Sequence, residues 1–90
     1  MKELEKKNII VSMFDIKKMR HLCNKPNCKK KPRKEVTLFE RSIKSIKPIV
    51  KLYLCEEHAN MGKELKVALS KLCSDTFIEM DIKNLKNEGR

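Results

Sequence analysis

The chain contains no tryptophan and no glutamine, and its 90 residues include only two glycines and three prolines. Aromatic residues are equally scarce: Phe14, Phe39, Tyr53 and Phe77 are the whole set. One domain of this length hides only about 60–65% of its unfolded surface, so the hydrophobic core is marginal. Domains with thin cores commonly need a disulfide, a metal or a partner. No apolar run approaches the ~20 residues that span a bilayer. The opening "MKELEKKN" is followed by only a brief apolar patch, "IIVSMF", and lacks the long apolar stretch of a secretory leader. These absences place the protein in the cytoplasm, where thiols stay reduced, and weaken a disulfide reading of its four cysteines.

Acid is missing from one long stretch. Between Lys17 and Lys34 there are nine basic residues and no Asp or Glu, within a chain of net charge +10. Lys25, Lys29, Lys30, Lys31, Arg33 and Lys34 follow or flank a cysteine pair, and Arg41, Lys44, Lys47 and Lys51 continue the charge along the next segment. Such a surface attracts polyanions, nucleic acid above all. With so few aromatics, stacking of successive single-stranded bases is a weak prospect. Recognition through backbone and shape, as in structured RNA or duplex DNA, fits better. The bland alternative is a solvated face of a lysine-rich protein.

The residue pattern predicts an α+β fold in a single domain over 1–90. Residues 8–16, "NIIVSMFDI", are rich in β-branched side chains and read as a strand. Residues 35–43 and 48–55 read as two further strands joined by a turn at "KSIK", with Pro48 confined to a strand's opening or edge. Met61, Leu65, Ala68, Leu69 and Leu72 then recur at helical spacing, in a helix that starts at Glu56 or near Asn60. Thr76 and Glu79 have capping-box spacing, yet Thr76, Ile78, Met80 and Ile82 alternate. The alternation favours a strand pairing near the N-terminal one. Residues 86–90 are expected to fray.

Cys23 and Cys28 are separated by four residues that include Pro26, and Cys55 and His58 have C-x2-H spacing. Together they form a Cys₃His set for one tetrahedral structural zinc ion. Thiolate and imidazole suit zinc rather than magnesium or calcium, and the metal's binding energy would add directly to the stability of a small core. The C-x4-C-x2-C run of a plant-type iron–sulfur site is absent. Cys73 lies about 27 Å along a helical axis from Cys55, too far to share an ion, and reads as a small core residue. His21 competes with His58 for the fourth position, but its neighbours are cationic and it reads as exposed or adjacent to the site.

A cysteine pair, a β-hairpin and then "LYLCEEHA" leading into a helix resemble a treble-clef zinc finger over about residues 21–73. The resemblance implies that Cys23 and Cys28 occupy a knuckle and that Cys55 and His58 stand at the helix start. The x4 spacing departs from the usual C-x2-C knuckle. A helix beginning only at Asn60 would make a two-knuckle zinc ribbon the better analogy. The expected function is binding of nucleic acid, RNA ahead of DNA, in a ribosomal, ribonucleoprotein or transcription setting. A protein-interaction adaptor, or a small subunit of a transcription or RNA-processing complex, is the alternative. No membrane or small-molecule partner is expected, and no catalysis, since one histidine serves the metal and His21 has no evident partner.

Overall fold

The computed structural model describes residues 2–73 and 75–85. The chain opens with helix α1, Lys2–Met13, followed by a single 3₁₀ turn, Ile16–Lys18. Strands β1, Lys34–Arg41, and β2, Ile46–Leu54, form the hairpin; helix α2, Met61–Ser70, and strand β3, Phe77–Asn84, complete the fold. The sheet is antiparallel throughout, with order β2-β1-β3. The fold is therefore small α+β, as the pattern predicted, with one element of the wrong type.

That element is the N-terminal one. Residues 8–16 are not a strand: α1 runs through them to Met13, and the Phe14 N–H still bonds the Ile10 carbonyl at 2.9 Å. Lys6, Ile10 and Phe14 recur at four-residue spacing and are all buried, which is the signature of a helix face. β-Branched Ile9, Ile10 and Val11 carry only a small helix penalty, and burial of Ile10 and Phe14 outweighs it. Fully burying such an apolar side chain contributes roughly 1.5–3 kcal/mol.

The hairpin falls within a residue or two of the expected bounds. Its register pairs Lys34 with Leu54 at one end and Arg41 with Ile46 at the other. Leu38 faces Val50 and Phe39 faces Pro48, so Ile49 is left over as a bulge. Pro48 lacks an N–H and is tolerated because β2 is an edge strand. β3 is a strand, as the alternation predicted, but its partner is the central strand β1 and not the N-terminal segment, which is helical. The expected fraying of residues 86–90 lies outside the described residues.

Alternation divides the sheet into two faces. Val36, Leu38, Leu52 and Leu54 are fully buried on one face, together with Ile78 of β3, and share a core with Ile10, Phe14, Leu65 and Leu69. Glu35, Thr37, Phe39 and Arg41 of β1 point to the other face, with Tyr53 and Lys51 beside them. Helix α2 approaches the sheet closely at Gly62. A Cβ there would lie 2.8 Å from Val36 Cγ1 and 3.2 Å from Met80 Sδ. The residue that weakens the helix by propensity is thus the one that lets it dock.

One polar cluster joins three elements beneath α1. The buried Lys6 ammonium bonds the Glu40 carboxylate. The same carboxylate accepts from Thr76 Oγ1 at 2.7 Å and lies 3.7 Å from Cys73 Sγ. Burial opposes the charge on Lys6, but the bond to Glu40 and its negative charge prevail and raise the lysine's pKa. The bonds from Lys6 and Thr76 hold Glu40 below the ordinary carboxylate value despite its burial.

Candidate metal centre

The first cysteine pair lies on a loop that reverses direction twice. The turn out of Ile16–Lys18 uses Met19 at φ 53°, and Asn27 follows at φ 69°. Asn tolerates the left-handed region better than other non-glycine residues. The loop closes through Cys23 N–H to the Lys30 carbonyl at 2.8 Å and Cys28 N–H to the Lys25 carbonyl at 3.0 Å.

Two side chains hold this loop in shape. The Lys18 ammonium donates to the carbonyls of Cys23, Lys25 and Cys28 at 3.1, 2.8 and 2.8 Å. All three ammonium hydrogens have an acceptor, which is the full donor capacity of a lysine. Asn24, 1% exposed, donates through Nδ2 to the carbonyls of Met19 and Leu22. Its Oδ1 accepts from the Tyr53 N–H at 2.9 Å, and its own N–H bonds the Tyr53 carbonyl at 2.8 Å. Asn24 therefore pairs with the free edge of β2 and carries the cysteine loop to the end of the hairpin.

The second pair follows β2 directly. Cys55 comes one residue after the strand, and His58 N–H bonds the Cys55 carbonyl at 3.2 Å. Residues 56–60 form turns that lead into α2, whose first residue is Met61. The pair thus stands before the helix, not within its first turn. This corrects the placement implied by the treble-clef resemblance and matches the later of the two helix starts read from the sequence.

Cys23, Cys28, Cys55 and His58 converge, with one ligand atom from each lying within 4.8 Å of all the others. Cys28 Sγ is 4.0 Å from Cys55 Sγ; His58 Nδ1 is 3.7 Å from Cys23 Sγ and 3.2 Å from Cys55 Sγ. A tetrahedral site with metal–sulfur bonds of about 2.3 Å has S···S edges of roughly 3.8 Å, and slightly shorter S···N edges. The donor set therefore fits one metal ion. All three ligand cysteines are free and buried. Burial pushes the Cys23 thiol up to about 11. The Lys30 backbone N–H draws Cys28 below the ordinary thiol value, against its own burial.

The remaining site candidates lie elsewhere. His21 is exposed and outside the cluster, and Cys73 is half-buried near Glu40. Of the ten cations assigned to a binding surface, Lys30 pairs with Glu57 at 2.5 Å, Lys51 with Glu35 at 3.4 Å and Arg41 with Glu79 at 2.7 Å. Lys34 lies between Glu56, at 3.9 Å, and Asn84. Lys25 reaches the Pro26 carbonyl. Lys29, Lys31, Arg33, Lys44 and Lys47 have no acidic partner among the described residues, and all five are exposed. Lys18 and Asn24 were not singled out by sequence reading. Asn24 had a faint signal, as a turn-forming residue inside the cysteine pair; Lys18 was one cation among nine. Among the described residues, no helix is long and apolar enough to cross a membrane. Comparison of the chain with family models, curated proteins and solved structures finds no match.

Proposed function

We propose that this chain is a zinc-stapled protein that binds nucleic acid, RNA ahead of DNA, through the cationic surface that the metal site fixes in place. One observation carries the reading. The loop that supplies two ligands also projects Lys29 and Lys31, with Arg33 just beyond, all exposed and without acidic partners among the described residues. Lys and Arg at such positions neutralise phosphates and release counterions. Zinc is the preferred ion because three thiolates and an imidazole form a closed tetrahedral set. A closed set keeps no position for substrate, which favours a structural role over a catalytic one. Cytoplasmic location and a ribonucleoprotein or transcription complex as the setting belong to the same proposal.

Filter binding to an RNA hairpin across a salt series tests it. With five phosphate contacts, log K against log[salt] should slope between about −3.5 and −4.5. Changing Lys29, Lys31 and Arg33 together to Ala should flatten the slope by about 2–3 and leave zinc content unchanged. Unaltered affinity in that variant would reduce the charge to a solvated face. The adaptor reading would then gain, on the exposed apolar residues Ile43 and Ile46 at the hairpin tip and Phe77 beside Arg41.

A further inference from the structure

The sheet has two outer edges, and the chain blunts one of them. On the β2 edge, Pro48 lacks a donor, Ile49 bulges out of the ladder and Asn24 bonds the Tyr53 backbone in both directions. Such features discourage further strand pairing. β3 has none of them: it contains no proline and keeps one register with β1 from Phe77 to Asn84. The Leu85 N–H donates to the Arg33 carbonyl at 2.8 Å, which continues that register by one pair. Bonded pairs alternate along an antiparallel ladder, so Phe77, Glu79, Asp81 and Lys83 turn their N–H and C=O groups towards β1. Ile78, Met80, Ile82 and Asn84 turn theirs outward, and none of the four finds another backbone partner among the described residues.

A cleft of about 480 Å³ runs beside this edge, between Met80 and the flank of α2 that carries Lys63, Lys66, Val67, Ser70 and Lys71. These positions form the stripe next to the buried Gly62, Leu65 and Leu69. Val67 is 56% exposed within it. Its three lysines have no acidic partner among the described residues. An open ladder, an apolar floor and unpaired cations therefore meet at one place.

We infer that the β3 edge docks an acidic, extended segment of a partner protein, which pairs as a fourth strand. The inference is independent of the nucleic-acid reading. Backbone pairing supplies the attachment, and the cleft selects the side chains. The segment's residue opposite Met80 shares the α2 face and is apolar, against Val67; acids two positions to either side lie on that same face and meet the lysines. A second copy of this chain fits worse. Two β3 strands paired about Met80 would set Glu79 against Asp81, and two paired about Asp81 would set that residue against itself. Either pairing also brings two lysine-lined α2 flanks together, on chains that each carry a net charge of +10.

The zinc-loaded full chain should be titrated with a blocked heptapeptide in which Glu, Val and Glu alternate with Thr, and followed by amide NMR. The signals of Ile78, Met80 and Ile82 should move while those of Lys51 and Tyr53 on the other edge stay. N-methylation of the Glu and Val nitrogens, which face β3, should weaken binding by at least about tenfold through lost backbone bonds. N-methylation of as many Thr nitrogens, which point away, should leave it unchanged. Replacing both Glu by Lys in the peptide should weaken binding, and Lys66→Ala with Lys71→Ala in the protein should weaken it about fivefold. The peptide comparisons leave the protein untouched, so they decide the question even if that double variant folds poorly. No binding at about 1 mM peptide, equal affinity for the two N-methylated forms, or equal affinity for the Lys form would overturn the inference. So would edge signals that move with protein concentration alone, which would make the occupant a second copy. Displacement of the peptide by an RNA hairpin would also overturn it, by making the cleft part of a nucleic-acid surface.

Discussion

The ammonium of Lys18 lies 2.8 Å from the carbonyl oxygen of Cys28, ten residues further along the chain. It also bonds the carbonyls of Cys23 and Lys25, so one positive charge organises the backbone around both cysteines of the loop. A zinc ion on three thiolates and a neutral imidazole would leave the site with net charge −1, which the Lys18 ammonium would offset. Lys18→Met should lower metal affinity by 10–100-fold, the usual effect of losing a group that orients ligands. Lys18→Arg keeps the charge but replaces a compact three-way donor with a planar fork, so its affinity should fall between the two. Chelator competition on the three proteins would measure this, and equal affinities would show that the loop holds itself.

The ligand set makes a sharper prediction. Elemental analysis with native mass spectrometry should find one zinc per chain. Cys28→Ser, Cys55→Ser and His58→Ala should each lose it and lower the melting temperature, because binding energy here is folding energy. His21→Ala should leave zinc in place. Cys73→Ala should also keep it, at a cost of about 1–2 kcal/mol for a small truncation in a partly buried site. Zinc lost from Cys73→Ala but kept in His58→Ala would assign the fourth ligand differently.

Gly62→Ala reverses a familiar rule. In an open helix the change would stabilise by about 1 kcal/mol. Here the added methyl would meet Val36 Cγ1 at 2.8 Å, and overpacking of this kind typically costs about 1–3 kcal/mol. The variant should melt at a lower temperature than wild type. Gly62→Ala with Val36→Ala, which removes the opposing methyl groups, should recover part of the docking strain. A more stable single variant would mean that α2 shifts away from the sheet at little cost.

Glu40 supplies a pH dependence. Its carboxyl is held below the ordinary value of 4.5 by Lys6 and Thr76, so the folded chain binds that proton more weakly than the unfolded chain. The stabilisation is complete above pH 4.5 and is lost as pH falls through the lower folded value. Glu40→Gln should remove it at neutral pH, costing about 1–3 kcal/mol, less than a fully buried pair because the Glu40 side chain is 20% exposed. The difference in stability between wild type and variant should shrink towards pH 3. Urea melts across that range, with zinc followed in parallel, would show whether the gap stays constant instead.

The hairpin, α2 and β3 were legible because each keeps a single period: two along Val36–Leu38 and Ile78–Met80–Ile82, and about 3.6 along Met61–Leu65–Leu69. The N-terminal helix was hidden by Lys6. A charged residue on the buried face breaks the apolar repeat before Ile10 and Phe14, and its partner Glu40 is 34 residues away. The partner of β3 was misjudged because a strand expected at residues 8–16 does not exist. At the metal centre, cysteine and histidine spacing announced the four side chains that converge. Lys18 and Asn24 went unmarked because their partners are largely backbone carbonyls, which every residue has and no sequence pattern reveals.

The order of elements has a consequence for how the molecule is made. Cys23, Cys28, Cys55 and His58 all precede α2 and β3 in the chain. A polypeptide that leaves the ribosome N-terminus first exposes the four ligand residues and the β1–β2 hairpin before the final strand. Capture of a metal at that stage would fix Asn24 against β2 and leave the inner edge of β1 unpaired until Phe77–Asn84 arrives to occupy it. The ion would then act as a placeholder during emergence of the chain, holding one side of the sheet in register for the strand that emerges last.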